Sequence, residues 1–340
     1  MQETNLTRDA DQLRGMYHKM LTIRRFEERC NYLFMQGKIP STLHLYIGQE
    51  AVATGVCAHL SDADYATSTH RPHGHSIAKG VSLRSIMAEL YAKRTGCCKG
   101  KGGSMHVGDM TVGMIPAIAI VGGNIPLTTG LALACKRLGG GRVAVAFMGD
   151  GATNEGAFHE GLNMAAIWDL PALFVVENNL YAASTPVGVT FKIENIADRA
   201  SSYGMASDIC DGMDVLAVYE AAGRAIERAR AGGGPTLLEC KTYRLCGHSR
   251  SDPRTYRSKE EEAEWATRDP ILRLAAHLKA AGLATDELLA QIEQEVSAAI
   301  DDAVAFAESS PSPEPEEALQ DVFYGEGPAP FAWASSGGVR

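Results

Sequence analysis

Apolar side chains at Leu13, Met16, Tyr17, Met20, Leu21 and Ile23 fall on one stripe, which predicts a helix over 9–36. Gly37 and Pro40 then break the pattern. A second helix is expected from near Gln49 to just before Ser61-Asp62, and Tyr65 to Thr69 reads as a strand opening onto the loop His70-Arg71-Pro72-His73-Gly74-His75. Residues 82–93 return to helical spacing, with Ser82 as candidate N-cap. The stretch 96–106 is too rich in glycine for regular structure, and a helix of small residues follows from about Pro126 to Leu138. Val143 to Phe147 is then unbroken apolar, as is Leu173 to Val176. Short runs of this kind fit strands buried on both faces, with a helix over 155–168 between them. An amphipathic helix over 213–231 stops at Gly232-Gly233-Gly234-Pro235 and leads into a strand over 236–240.

This alternation of strands and helices predicts an α/β fold, a doubly wound parallel sheet. The expected organisation is an N-terminal helical arm (1–40), the main α/β domain (41–260), C-terminal helices packed on it (261–308) and a flexible or partner-bound tail (309–340). The tail carries Pro311, Pro313 and Pro315 and has too little apolar content to pack by itself.

Composition narrows the function classes. A formal net charge of -9 argues against a nucleic-acid footprint. The eight cysteines have no C-x-x-C pair or zinc-type spacing, which fits a reduced protein. The polar start MQETNLTRDADQ has no apolar signal core, and no run approaches a membrane span, so a cytoplasmic location is expected, with no membrane partner.

The chemistry concentrates at two strand ends. Gly149-Asp150-Gly151 follows the first buried strand, and Asn178-Asn179 ends the second. Open α/β sheets bind ligands beyond the carboxyl ends of their strands. A hard cation holding a diphosphate needs oxygen donors and close backbone approach, and a carboxylate, amides and glycines supply both. Taken alone, the aspartate could simply cap the next helix.

The spacing of these two motifs resembles the thiamine-diphosphate-binding motif of transketolases, decarboxylases and 2-oxo acid dehydrogenases. His44-Leu45-Tyr46-Ile47-Gly48-Gln49-Glu50, Lys99-Gly100-Lys101-Gly102-Gly103-Ser104-Met105-His106, and Tyr243-Arg244 with Gly247-His248-Ser249 extend the match. Together, over about 12–308, they resemble the alpha subunit of the thiamine-diphosphate-dependent decarboxylating component of 2-oxo acid dehydrogenase complexes, of the pyruvate and acetoin type. The resemblance implies a thiamine diphosphate-binding fold, with Asp150, Asn179 and the carbonyl of Tyr181 on magnesium, and Gly151 and Ala152 opening backbone amides to the phosphates. It also implies Arg71, His248 and the neighbouring His70 on the cofactor, and backbone groups of Ala119 and Val121 at the aminopyrimidine ring. His44, His73, Arg244 and His248 fall on the catalytic side.

The same resemblance implies partners: a beta subunit in an α₂β₂ heterotetramer, without which the chain is inactive, and a lipoyl acyltransferase core. The expected reaction decarboxylates pyruvate, a 2-oxo acid, and reductively acylates a lipoyl group. Cleavage of acetoin is the alternative. Evidence on the substrate divides: His70 stands where many pyruvate-type relatives have tyrosine, Cys246 replaces a histidine common among them, and Gly247 to Pro253 is similar to the pyruvate-type loop. Two remoter readings are a NAD-dependent oxidoreductase, which lacks a convincing G-x-G-x-x-G after an early strand, and a non-catalytic scaffold. The cluster His70, Arg71, His73, His75 has metal-site residue types, but its loop setting and the family match speak against zinc. His75 and His106 are expected to be structural.

Overall fold

A computed structural model describes residues 10–321; the expectations for the extreme N-terminus and for the tail beyond 321 fall outside it. Helix α1 spans Ala10–Met35, and every residue of the expected stripe is buried. Helix α2 (Glu50–Cys57) is buried on all sides, as its unbroken run of small and apolar residues demands. Strand β1 (Tyr65–Thr67) follows.

The next element differs from expectation. His73 and His75 lie not in a loop but in helix α3 (His73–Lys79), which starts after Pro72 and ends at Gly80 with φ 106°. Gly74 serves packing within this helix: a Cβ there would sit 2.1 Å from the Tyr46 ring. Helix α4 (Leu83–Leu90) has Ser82 in the N-cap position, although the Ser82 side chain makes no capping bond. The segment before Asn124 has no strand, and helix α5 (Asn124–Leu138) begins two residues earlier than the pattern suggests.

Strand β2 (Ala144–Gly149), helix α6 (Gly156–Ile167) and strand β3 (Ala172–Asn178) form the expected β-α-β unit. A two-residue hairpin follows, β4 (Tyr181–Ala182) with β5 (Thr185–Pro186), then the short helix α7 (Val187–Thr190). Strand β6 (Ala206–Asp211), helix α8 (Val215–Arg230) and strand β7 (Thr236–Lys241) complete the sheet. The pattern misses β6 because it is an edge strand, Ala-Ser-Asp-Ile-Cys-Asp, with no fully buried residue.

The main sheet has the order β1-β2-β3-β7-β6, and every pairing is parallel. Alternate residues of its central strands enter two cores. Val145, Phe147, Leu173, Val175 and Leu238 pack with α1, α2 and α8; Ala144, Ala146, Met148, Phe174, Val176 and Leu237 pack with α5 and α6. Both faces are therefore covered, which is why the strands read as continuous apolar runs. This is a doubly wound α/β fold.

Helices α9 (Lys259–Ala266), α10 (Pro270–Ala280) and α11 (Asp286–Ser309) follow, and α11 buries Ile292, Val296, Ile300 and Ala303 in the core that holds α1. Beyond it the chain returns across the glycine-rich stretch: the Arg94 amide donates to the Pro311 carbonyl, and Lys99 and Lys101 pair with Asp321. No described helix is long and apolar enough to cross a membrane.

One buried carboxylate shapes that glycine-rich stretch. Glu89, on α4, accepts four backbone N–H bonds: Cys98 and Gly100 at one oxygen, Gly102 and Gly103 at the other, at 2.8–3.0 Å. Removing it orphans four donors in a partly buried turn. We expect Glu89→Ala to cost about 2–4 kcal/mol of stability and to lower Tm by several degrees. Glu89→Gln should not restore it, because its NH₂ would face two amides already donating. An unchanged Tm in both variants would contradict this role.

Candidate cofactor site

The loops leaving β1, β2, β3 and β7 converge beyond the carboxyl edge of the sheet. They enclose a cavity of about 350 Å³. From β1 come Thr69, His70 and Arg71; from β2, Gly149 to Ala152; from β3, Glu177, Asn179 and Tyr181; from the segment after β7, Arg244 and His248. Ile118, Ile120 and Val121 form an apolar rim, on which Ile120 and Val121 are exposed. Adjacent parallel strands start their loops side by side, so residues far apart in sequence meet here.

At the floor, Asp150 is buried, and one carboxylate oxygen, Oδ2, has no hydrogen-bond partner. Burial pushes its pKa up to about 6, against the pull of the Gly151, Asn179 and Leu180 amides. The two asparagines divide the work. Asn178 turns back to Glu239, its Nδ2 donating at 2.7 Å. Asn179 lines the cavity, its Nδ2 donating to Gln49 Oε1 at 3.0 Å and its Oδ1 accepting the Tyr181 amide at 3.4 Å. Leu180 between them takes φ 73°, a sparsely populated conformation for leucine. That turn returns the chain to the cavity, where Asn179 and Tyr181 are wall residues.

Two guanidinium groups stand over this floor. Arg71 is buried and donates to the carbonyls of Leu45 and His248, the latter at 2.9 Å. Arg244, 2% exposed, donates to the Cys246 and Ala183 carbonyls and to the Tyr256 hydroxyl. Neither has an ion pair with a carboxylate among the described residues. A desolvated cation without a counter-charge is costly, and burial lowers the Arg71 pKa to about 10. The neighbouring imidazoles of His44, His70 and His248 pack edge to face or tilted, with centroids 4.8–5.3 Å apart. Burial, and then the Arg71 charge, hold their pKa values down to about 3, 2 and 4. All three rings are neutral at pH 7. The His44 Nδ1 has no partner.

The donor set fits a polyanion with a hard cation. Two unpaired guanidiniums suit phosphate oxygens. The free Asp150 oxygen, the Asn179 amide oxygen and the Tyr181 carbonyl are the hard ligands magnesium prefers. A Cβ at Gly149 would meet open space on this edge, while one at Gly151 would lie 2.6 Å from Ala182 Cβ. Room is thus reserved at the first glycine and packing at the second.

Most of the residues picked out from sequence are here: His70, Arg71, Val121, Asp150, Gly151, Ala152, Asn179, Tyr181, Arg244 and His248 line the cavity, and His44 packs against two of its rings. Two are not brought into it. Ala119 is missing from the wall although Ile118, Ile120 and Val121 are on it. His73, expected on the catalytic side, is fully buried beneath, with Nδ1 on Glu27 Oε2 at 3.1 Å and Nε2 on Ser104 Oγ at 3.0 Å. Both ring nitrogens are engaged, so it holds the 97–106 turn instead of reaching the cavity.

Among the wall residues that had escaped notice are Gln49, Glu155 and Glu177. Glu177 accepts from the Tyr46 hydroxyl and meets His75 Nε2 at 3.0 Å, and His75 Nδ1 meets Ser68 Oγ at 2.7 Å. A charged residue inside the apolar run that ends at Asn178 was the available signal for Glu177. Gln49 sits in the quoted HLYIGQE block, but nothing in its local pattern separates it from an ordinary helix start.

A family model for the dehydrogenase E1 component matches residues 18–316. The chain is 52% identical to the alpha subunit of the acetoin:2,6-dichlorophenolindophenol oxidoreductase of Bacillus subtilis, over 91% of this chain and 92% of the relative. The corresponding subunit of Cupriavidus necator is 47% identical, covering 93% of this chain and 95% of its own length. The pyruvate dehydrogenase E1 component subunit alpha of Rhizobium meliloti is 44% identical, over 90% and 88%.

The depressed histidines set an acid limit on stability. Between the ordinary value of 6.5 and the native values of about 2 to 4, the unfolded chain binds protons that the native protein does not. This contribution is therefore fully present above pH 6.5 and lost as pH falls. We expect Tm to drop between pH 7 and pH 5, and His70→Gln, which cannot titrate, to drop less. Equal acid slopes for the two proteins in thermal melts would refute this.

Proposed function

The chain belongs to the dehydrogenase E1 component family, and we propose that it is the diphosphate-binding alpha half of a thiamine diphosphate-dependent dehydrogenase that also requires magnesium. The observation that carries this reading is the unpartnered Asp150 oxygen at the floor of a cavity whose two guanidiniums lack carboxylates. Asp150, Asn179 and the Tyr181 carbonyl would hold the magnesium. Arg71 would neutralise the diphosphate, and His248 would close over it.

When bound, thiamine diphosphate supplies the electron sink that stabilises the carbanion left when a bond beside a carbonyl breaks. The residues of this chain bind, orient and exclude water. Three neutral imidazoles line the substrate side, each able to donate one hydrogen bond and accept another at pH 7. Their rings are too weakly basic to carry charge there, so they steer a carbonyl or hydroxyl oxygen without neutralising it. Arg244, fixed through Cys246, Ala183 and Tyr256, adds positive potential on that side.

The substrate of this reading is pyruvate, a 2-oxo acid, decarboxylated with transfer of the acetyl unit to a lipoyl group on an acyltransferase. A second reading, acetoin cleavage, is favoured by His70 and by 52% identity to an acetoin oxidoreductase alpha subunit. The imidazole ring of His70 suits a neutral hydroxyketone as well as it does a carboxylate.

The site is incomplete by itself. Proton work at the aminopyrimidine calls for a carboxylate held dry, but Glu177 is tied to Tyr46 and His75, and Glu155 is exposed. Beside the exposed rim of Ile120 and Val121, other apolar side chains are exposed: Leu127 on α5, and Met164, Ile167 and Trp168 at the end of α6. These surfaces support a beta subunit covering the cavity in an α₂β₂ assembly. With all eight cysteines free, we read the assembly as cytoplasmic.

Two experiments test this. Asp150→Ala should abolish magnesium-dependent thiamine diphosphate binding in calorimetry while leaving the circular dichroism spectrum intact; undiminished affinity would overturn the metal assignment. The chain should show no turnover by itself and should gain it on adding its beta subunit, with rates on pyruvate and acetoin choosing the substrate. Full turnover by this chain alone would refute the shared site.

A further inference from the structure

A second cavity, of about 310 Å³, lies behind the segment that carries Arg244 and His248. Its wall is made by Asn31 near the end of α1, by Leu45 and Ile47, and by residues of the 245–254 turn, among them Cys246, Arg250 and Arg254. No residue of this wall belongs to the first cavity. The two are back to back: Leu45 and Cys246 face this one, while the Leu45 carbonyl receives Arg71 and the Cys246 carbonyl receives Arg244.

Two buried polar atoms of this wall have no partner, Arg250 Nε and Asn31 Oδ1. Among the described residues, the one hydrogen bond of the Arg250 side chain goes to the Met35 sulfur, and it has no ion pair. The nearby acid does not serve it. Asp252 is consumed within the turn, accepting from the His248 and Arg254 amides and from the Tyr256 hydroxyl. Arg254 does have a carboxylate, Glu262, at 3.2 Å. What remains is a guanidinium edge, an amide side chain that donates or accepts by turning over, and a second, paired cation.

We propose that this cavity binds a small oxyanion, a phosphate or carboxylate group, whose occupancy holds the 244–254 turn in place. An oxyanion takes the donors of Arg250 in fork geometry, and Asn31 presents its NH₂ to the same group. Both tie α1 to the turn. The turn carries Arg244 and His248 into the first cavity, so the two sites are coupled through one segment. That coupling rests on the cofactor reading above; binding at the second cavity does not.

The test uses the full chain with thiamine diphosphate and magnesium present, so that the larger cavity is filled, and inorganic phosphate or acetate as the probe against sodium chloride of equal ionic strength. Tryptic cleavage after Arg254 reports the turn directly. At ten times its Kd a bound anion should slow that cleavage about tenfold and raise Tm, whereas chloride should not. Phosphate protecting more than acetate would mark a phosphate ligand, and the reverse a carboxylate. Arg250→Gln and Asn31→Ala should each lose the protection while binding thiamine diphosphate in the absence of added anion as the wild type does. Protection no greater than that by chloride, or protection kept in both variants, would overturn the proposal. Absence of thiamine diphosphate binding in the wild type would instead defeat the cofactor reading, and the anion-dependent protection would still be read.

Discussion

Two guanidinium groups buried without carboxylates are the condition on which the rest of this site depends. Water is largely excluded around Arg71 and Arg244, so their charge is felt at full strength by whatever lies within a few ångströms. The fold answers with dipoles in place of charges: the carbonyls of Leu45, His248, Cys246 and Ala183 point at the two arginines. Carbonyls orient a guanidinium but leave its net charge in place. Burial, with the same field added to it, keeps three imidazoles neutral, and the field leaves the cavity selective for an anion. A carboxylate paired directly with either arginine would have made a more stable empty protein and a poorer receptor.

Beneath the cavity a second layer holds these groups in position. Glu27 joins the Tyr46 amide to His73, and His73 joins Ser104. Glu177 joins Tyr46 to His75, and His75 joins Ser68. Glu89 gathers the turn from which Ser104 extends. Every buried acid here has hydrogen-bond donors on it, which is what allows charge at such depth. Gly74 lets α3 lie flat on the Tyr46 ring, bringing both histidines of that helix into the two chains. The histidine-rich segment thus splits by face: His70 and Arg71 turn up to the cavity, and His73 and His75 turn down into the support.

That split explains what sequence reading reached and what it did not. The strands β2 and β3 were legible because burial on both faces leaves an unbroken apolar run, and their ends named the site because Asp150 and the asparagines sit where such a run stops. β6 was not legible, since an edge strand half in solvent has no reason to be apolar. His73 lies beneath the cavity and not on it, because residue type fixes what a side chain can do, while only the helix beginning at Pro72 fixes where it points. Gln49 and Glu177 were passed over for a related reason. Their roles come from partners more than a hundred positions away, Asn179 for the one and Tyr46 for the other, and no local pattern encodes such a contact. The bounds of α2 and α4 shifted for a smaller reason, since helix ends follow tertiary contacts more than propensity.

The layout also bears on how the work of a cofactor enzyme divides between subunits. On the reading proposed above, most of what this chain contributes is at the diphosphate end: hard oxygens, cations, close backbone approach and a polar foundation. Each of these demands rigidity, and each is built on strand ends or on helices packed into a core. The opposite rim, Ile118 to Val121, is apolar and partly exposed, with φ 78° at Gly122 beside it. Such a rim stabilises an apolar ring face only once something covers it, since an open apolar edge gives up the water exclusion that the chemistry needs. On that reading the anchoring half of the site folds with its chain, and the reacting half would be completed by association. A cavity ordered this way would tie catalysis to assembly.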